Sequence, residues 1–162
     1  MSGSGTDYVF AIAVPNDAAQ MRKINEACLP ENYPYMFWFN MVSTNPGYSF
    51  VCRSVKERKM VGYALFCEDT AGQLRLLSLA VLPGHRGHGV ASGLLLRGLG
   101  RTCDLEVRAS NEGAIRLYER VGFRKIRIIP GYYADKEDAW LMTWSSAVAV
   151  DASASPIPPP VA

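Results

Sequence analysis

The chain has 162 residues, of which 49% are apolar and 20% are charged, with a net charge of +2. This length suits one domain, and this composition excludes wholesale disorder and a membrane-spanning helix, which needs roughly 18–20 apolar residues in a row. The N-terminus lacks the basic segment of a secretory signal, and four scattered cysteines without a C-x-x-C pair indicate reduced thiols. We therefore expect a cytoplasmic protein with no membrane partner.

The elements in chain order predict a mixed α/β sheet. Alternating residues over Tyr8–Val14 predict a strand that Pro15 ends, and a cap at Asn16 or Asp17 begins a helix to about Ala27. The later elements are a helix at 35–43, strands at 49–55, 60–67 and 74–82, a helix at 90–99, a strand at 104–109, a helix at 111–121, and strands at 123–129 and 139–144. This order excludes an alternating Rossmann array. We expect one domain over residues 1–150 and a disordered Pro/Ala-rich tail over 151–162.

Positive charge is concentrated in the middle of the chain. Residues 84–128 contain nine Lys or Arg against four Asp or Glu, whereas residues 129–162 contain one against four. A basic middle suits an anionic partner, either nucleic acid or a small phosphorylated ligand, and equally an ordinary solvated helix face. Because no basic run is interleaved with aromatic residues, we expect no nucleic-acid partner.

A glycine-rich loop is the sharpest motif. The apolar run to Leu82 continues into a loop containing Gly84, Gly87 and Gly89, which opens directly into a predicted helix. Glycines let backbone N–H groups approach an oxyanion, and the start of a helix adds the positive end of its dipole. The pattern predicts a phosphate or pyrophosphate site, although a tight strand-to-helix turn would also need glycines. It is neither a P-loop nor a dinucleotide fingerprint, because the spacings differ.

These residues resemble the acetyl-CoA signature of the GNAT superfamily of N-acetyltransferases. Residues 86–91, Arg-Gly-His-Gly-Val-Ala, match its R/Q-x-x-G-x-G/A pattern, and residues 107–111 and 114–118 are similar to its second cofactor element. The segments Leu-Pro-Glu-Asn-Tyr at 29–33 and Gly-Tyr-Tyr-Ala-Asp at 131–135 resemble the peptide-gripping loops of archaeal N-α-acetyltransferases and the NatA catalytic subunit. The resemblance implies a GNAT fold of the α/β (α+β) class. Its central sheet of about seven strands is mixed, mostly antiparallel and splayed in the middle, with about four flanking helices.

The resemblance also implies an activity and the residues that bind the co-substrate. Acetyl would pass from acetyl-CoA to the free α-amine of a protein N-terminus (Ser, Ala, Thr or Met) by direct attack through a tetrahedral intermediate. The co-substrate would be held by the backbone of the predicted strand at 74–82, the glycine-rich loop and the second cofactor element, namely Leu79, Ala80, Val81, Arg86, Gly87, His88, Gly89, Val90, Ala91, Ser92, Asn111 and Tyr118. His85 and His88 form an H-x-x-H pair without a third ligand nearby, so we expect no metal.

Three residues carry the implied acid–base chemistry. Only a neutral amine attacks, and an α-amine, with a reference pKa of roughly 7.7–8.0, is easier to deprotonate than lysine at about 10.4. Tyr118 would protonate the leaving thiolate, or else simply pack in the core. Glu106 occupies the strand position of the family's base, although an ion pair with Arg108 on the same strand face is an alternative. Glu31 is a further candidate base.

The substrate slot implied by the resemblance is lined by Glu31, Tyr33, Arg75, Leu79, Glu106, Tyr132 and Tyr133. Arg75 departs from the family, which usually has Tyr or His there. A guanidinium cannot act as a base, so Arg75 is expected either to lower the pKa of a nearby carboxylate or to bind an acidic substrate residue. The sequence does not tell which of Tyr132 and Tyr133 contacts the substrate.

The partners follow from the implied activity. We expect protein or peptide N-termini as substrates, nascent chains at the ribosome among them, and a monomer or small homo-oligomer. The alternatives are transfer to a lysine, to a ribosomal-protein terminus or to a small amine, and a non-catalytic acyl-CoA-binding module.

Overall fold

A computed structural model describes residues 7–146. Its strands and helices, in chain order, are β1 (Tyr8–Ile12), α1 (Ala18–Cys28), α2 (Tyr35–Thr44), β2 (Ser49–Ser54), β3 (Lys59–Glu68), β4 (Leu74–Val81), α3 (Val90–Gly98), β5 (Cys103–Arg108), α4 (Glu112–Val121), β6 (Arg124–Ile129) and β7 (Ala139–Trp144). Short 3-10 turns lie at Pro15–Asp17 and Pro83–His85. The predicted order of elements is confirmed. The expected tail over 151–162 lies outside the described residues.

The seven strands form one sheet in the order β1-β2-β3-β4-β5-β7-β6. Every neighbouring pair is antiparallel except β4 and β5, which run parallel. These two strands pair only at Leu74 with Cys103 and at Arg75 with Asp104. Beyond Arg75 the strands separate, so the predicted fold class and its central splay are confirmed. The splay leaves the last residues of β4 unpaired on the side of β5 and opens a gap into the sheet.

The two faces of the sheet carry separate apolar cores. On one face α3 and α4 bury Leu94, Leu95 and Ile115 against the sheet. On the other, α1 and α2 bury Met21 and Trp38. A fully buried Trp, Leu or Met side chain contributes roughly 1.5–3 kcal/mol, so these helices are held by packing rather than by propensity. The positions of α1 and α4 matter for the site, because the loop after α1 and the loop before α4 both reach the gap.

Two helix starts differ in detail from the sequence expectation. Asp17 stands at the start of α1, but its carboxylate accepts from the backbone N–H of Val14 at 2.9 Å and forms an ion pair with Arg53. Asp17 therefore occupies the cap position before Ala18, as one of the two residues expected there, but its side chain does not cap α1. At α4, the Asn111 side chain accepts from the N–H of Ala114 at 3.2 Å, which makes Asn111 the cap and Glu112 the first helical residue.

Three further findings hold for residues 7–146 only. In that range no helix is both long enough and apolar enough to cross a bilayer. All four cysteines are free thiols, with Cys52 and Cys103 buried and the other two half-buried. Within the same range His, Cys, Asp and Glu side chains nowhere gather in a group of three that could hold a metal ion.

Candidate active site at the splay between β4 and β5

The glycine-rich loop between β4 and α3 forms a cradle of backbone donors. Gly87 and Gly89 both have φ of +77°, a left-handed conformation that strains any residue with a Cβ. Gly93 donates to Gly89, but among the described residues the six backbone N–H groups from Gly87 to Ser92 have no acceptor. Donors left without partners at a helix start attract an anion. The cradle therefore fits the phosphate or pyrophosphate predicted from the sequence.

The cradle borders a cavity of about 660 Å³, a size usual for the binding site of a small molecule or cofactor. It is lined by eleven of the twelve residues expected to bind the co-substrate, namely Leu79, Ala80, Val81, Arg86, Gly87, Gly89, Val90, Ala91, Ser92, Asn111 and Tyr118. His88 is the exception, because its ring lies 6.1 Å from the ring of Tyr8, outside the cavity lining. The Arg86 guanidinium donates to the Val81 carbonyl at 2.9 Å, which ties the loop to the end of β4.

A second, smaller cavity of about 150 Å³ opens on the other side of the gap. Its lining contains six of the seven residues expected to contact the substrate, namely Glu31, Tyr33, Leu79, Glu106, Tyr132 and Tyr133. Both tyrosines of the pair line it. We call this cavity the substrate slot. Five residues line both cavities: Leu29, Leu79, Asn111, Ala114 and Tyr118. The two cavities therefore meet beside the hydroxyl-bearing side chain of Tyr118.

Arg75 is not in the lining of the slot. Its side chain is 1% exposed and forms ion pairs with Asp104 and Glu106 on the neighbouring strand. A guanidinium held by two buried carboxylates is not available to an acidic residue of a substrate. The other role expected for Arg75, on a nearby carboxylate, stays a prediction. Its guanidinium pairs with Asp104 and Glu106, and of these two only Glu106 lines the slot.

Arg108 pairs with residues of two loops instead of with Glu106. Its guanidinium contacts Glu31 in the loop after α1 at 2.5 Å, and Asp135 and Glu137 in the loop before β7 at 2.8 and 2.7 Å. It also lies over the ring of Tyr133, 4.1 Å from the centroid. The alternative of a Glu106–Arg108 pair is wrong, although both residues do share the strand face that lines the slot. Arg108 thus joins the two loops that form the walls of the slot.

The hydrogen bonds of this network determine its protonation. Hydrogen bonds from Ser110, followed by those from Arg108, lower the pKa of Glu137 to about 2. A hydrogen bond from the Glu137 backbone N–H, and next the Arg108 guanidinium, lower the pKa of Asp135. Burial, with the nearby Cys67 thiol and the carboxylates of Glu31 and Glu106, raises the pKa of Tyr33 to about 12. Around neutral pH the carboxylates of Asp135 and Glu137 are therefore ionised and the Tyr33 hydroxyl is neutral.

Tyr118 is buried at the junction of the two cavities. Its ring packs edge-to-face against Phe123 with 5.6 Å between centroids. Burial, and secondarily the Cys103 thiol, raise its pKa above the ordinary value, so the hydroxyl keeps its proton across the neutral range. The two interpretations of Tyr118 from the sequence, acid and core residue, are therefore compatible in one side chain.

Sequence reasoning missed the partners that orient the predicted residues. Asp104 pairs with Arg75, and Ser110 donates to Glu137 through both its backbone N–H and its hydroxyl. Cys28, Leu117 and Arg120 also line the larger cavity. The alternation of β5 could have identified Asp104 and Glu106 as sharing a face. No local signal could have identified which arginine each of them meets.

Comparison with known proteins agrees with this geometry. The profile of the acetyltransferase (GNAT) family matches residues 18–123. The chain is 35% identical over 157 residues to an N-alpha-acetyltransferase of Saccharolobus solfataricus, covering 85% of this chain and 93% of that protein. It is 37% identical over 137 residues to an N-terminal acetyltransferase complex ARD1 subunit homolog of Dictyostelium discoideum, covering 78% of this chain and 67% of that protein. The crystal structure of Ard1 from Thermoplasma volcanium has the same fold, with a TM-score of 0.77 at 24% identity, over 88% of this chain and all of that one.

Proposed function

Because the chain belongs to the acetyltransferase (GNAT) family, we propose that it transfers the acetyl group of acetyl-CoA to the free α-amine of protein N-termini. The observation that carries this proposal is the meeting of two cavities at Tyr118, one with a phosphate cradle and one between two tyrosine-bearing loops. A cradle alone would suit any acyl-CoA binder. A second cavity that reaches the same point gives an acceptor amine a place to approach.

The larger cavity supplies the groups that acetyl-CoA needs. The free N–H groups of Gly87 to Ser92 would bind the pyrophosphate, and the unpaired edge of β4 at Leu79–Val81 would pair with the amides of the pantetheine arm. When bound, acetyl-CoA supplies a thioester carbonyl that is activated toward an amine. Asn111 uses its side-chain oxygen to cap α4, which leaves the amide NH₂ to face the cavity as a donor.

Glu106 is the proposed base of the reaction. Its carboxylate lines the slot, and the ion pair with buried Arg75 fixes its orientation. An α-amine with a reference pKa of roughly 7.7–8.0 needs to lose one proton before it attacks, and a positioned carboxylate accepts that proton directly or through water. Glu31 lies in the loop after α1, where two N–H groups of Arg108 join it to the wall of the slot. We assign Glu31 to the wall of the slot.

Tyr118 is the proposed acid. Its hydroxyl stays protonated across the neutral range and stands where the two cavities meet, so it can donate a proton to a leaving thiolate. Tyr33, Tyr132 and Tyr133 would enclose the first residues of the peptide. The volume of about 150 Å³ favours a small first residue, such as Ser, Ala or Thr. Nascent chains are one source of such N-termini.

The test is acetyl transfer to short peptides that begin with Ser, Ala, Thr or Met, with two controls: an α-N-acetylated peptide, and one whose only amine is a lysine. We expect turnover with free α-amines alone. Glu106→Gln should lower kcat by roughly 100-fold or more, the usual contribution of a positioned base, with the KM for acetyl-CoA unchanged. Turnover confined to the lysine peptide, or coenzyme binding without any turnover, would contradict the proposal.

A further inference from the structure

The substrate slot has more carboxylates than cations. Arg75 is paired with Asp104 and Glu106, and Arg108 is paired with Glu31, Asp135 and Glu137. Five carboxylates thus surround two guanidinium groups, a net charge of −3 for the two clusters together. Glu106 and Arg108 lie two residues apart on β5 and both line the slot together with Glu31, whereas the Arg75 and Asp104 side chains are buried, at 1% and 7% exposed.

No guanidinium of these clusters is left for an anionic substrate. Arg75 is 1% exposed, and the Arg108 side chain is 19% exposed under three carboxylates and over the Tyr133 ring. The loop before β7 contains one cation, Lys136, which is exposed and forms no ion pair in the described range. Counting Lys136 still leaves a net charge of −2. The most exposed acidic side chain of the two clusters is Asp135, at 60%, and it adjoins the slot through its ion pair with Arg108.

The tyrosines of the slot respond to this excess. Burial raises the pKa of Tyr132 and of Tyr133, and neighbouring carboxylates raise both further, Glu106 at Tyr132 and Glu31 at Tyr133. Both side chains come from the loop before β7 and line the same cavity. Arg75 at Tyr132 and Arg108 at Tyr133 lower the pKa, but the raising effect of the carboxylate is the larger at each tyrosine.

We propose that the slot selects N-termini by charge, preferring a basic residue directly behind the first residue and discriminating against an acidic one. This inference rests on the proposed function and narrows its substrate class. Its physical basis is that three carboxylates, those of Glu31, Asp135 and Glu137, are held around Arg108 in the wall of the slot. We call these three residues the rim, and the substrate's second and third residues would lie against it. A negative surface raises the local concentration of a cationic peptide and repels an anionic one.

The experiment compares three peptides that share Ser as first residue and differ only at positions two and three, which are Lys-Arg, Gln-Gln or Glu-Glu. We expect kcat/KM to fall by about fivefold at each step from basic to neutral to acidic at 50 mM salt, and the differences to shrink at 0.5 M, where the Debye length falls to a few ångströms. Equal rates for the three peptides, or fastest acetylation of the acidic one, would overturn this inference. Absence of turnover with all three would instead contradict the proposed function.

Two variants test where the selectivity arises. Asp135→Asn removes one negative charge at the rim and should lower the basic-to-acidic ratio of kcat/KM by about threefold. Glu26→Gln removes the same charge from the outer side of α1, where Glu26 pairs only with Arg22 among the described residues, and should leave the ratio unchanged. An equal effect of both variants would show that overall charge and not the slot is responsible, and would overturn the proposal. Because the readout is a ratio within one variant, a partial loss of folded protein does not affect it.

Discussion

Arg75 of β4 and Glu106 of β5 form an ion pair across the point where these two strands separate. The two strands are paired at their beginnings, up to Arg75 and Asp104, and toward their ends the sheet is open. The pair therefore stands at the floor of the substrate slot, where it orients the proposed base and closes the gap in the sheet against the core.

Removal of the guanidinium should cost stability. We expect Arg75→Met to lower the free energy of unfolding by about 3–5 kcal/mol, because Asp104 and Glu106 then remain buried without a counterion. Urea denaturation measures this loss. Arg75→Lys keeps the charge and should lose less, and a loss as large as that of Arg75→Met would contradict this account.

The hydroxyl of Tyr118 should matter for catalysis and not for folding. Tyr118→Phe keeps the ring that packs against Phe123, so the melting temperature should stay within a few degrees. We expect kcat to fall by roughly 10- to 100-fold, because the thiolate then leaves without a positioned acid. Steady-state kinetics and thermal unfolding of the same preparation give both numbers. An unchanged kcat would show that Tyr118 has only a structural role.

The left-handed glycine at the start of α3 should be needed for co-substrate binding. A Cβ at Gly89 would meet nothing within 4 Å, so Gly89→Ala acts through backbone strain at φ +77°, costing roughly 1–2 kcal/mol. Relief of that strain would turn the loop N–H groups away from a common centre and raise the KM for acetyl-CoA. Gly84→Ala is the matched control, because Gly84 also has open space but no positive φ. Similar KM values for the two variants would argue against the cradle.

Acid should weaken the junction between the two slot loops in a defined range. Glu137 has an ordinary pKa of 4.5 that falls to about 2 in the folded protein, chiefly through the hydrogen bond from the Ser110 hydroxyl. A lowered pKa stabilises the folded state above pH 4.5, and that contribution is lost as pH falls toward 2. Ser110→Ala should raise the pKa of Glu137, as measured by NMR titration of its carboxyl carbon. A titration curve identical to that of the unaltered protein would show that Ser110 has no such role.

Local sequence was sufficient to predict the elements, and the resemblance to the GNAT superfamily implied most of the residues that line the two cavities. The glycine spacing at 84–89 predicted the cradle, because only glycine adopts a positive φ freely and the residue type therefore indicates the backbone conformation. The order of helices and strands was equally readable, because the apolar periodicity of each element follows from the face it buries. Errors at the helix starts were confined to side chains such as Asp17, which bonds backward to Val14 instead of into α1.

The tertiary structure alone decided the ion pairing. From sequence, Glu106 and Arg108 were candidates for each other, because they share one face of a strand. In the folded chain Glu106 meets Arg75 from β4, and Arg108 meets residues 77 and 27 positions away, Glu31 and Asp135. Which opposite charge a side chain reaches depends on strand register and on the course of two loops. Residue types and periodicity therefore determined the helices, the strands and the glycine-rich loop, whereas long-range packing determined which charges neutralise each other in the slot.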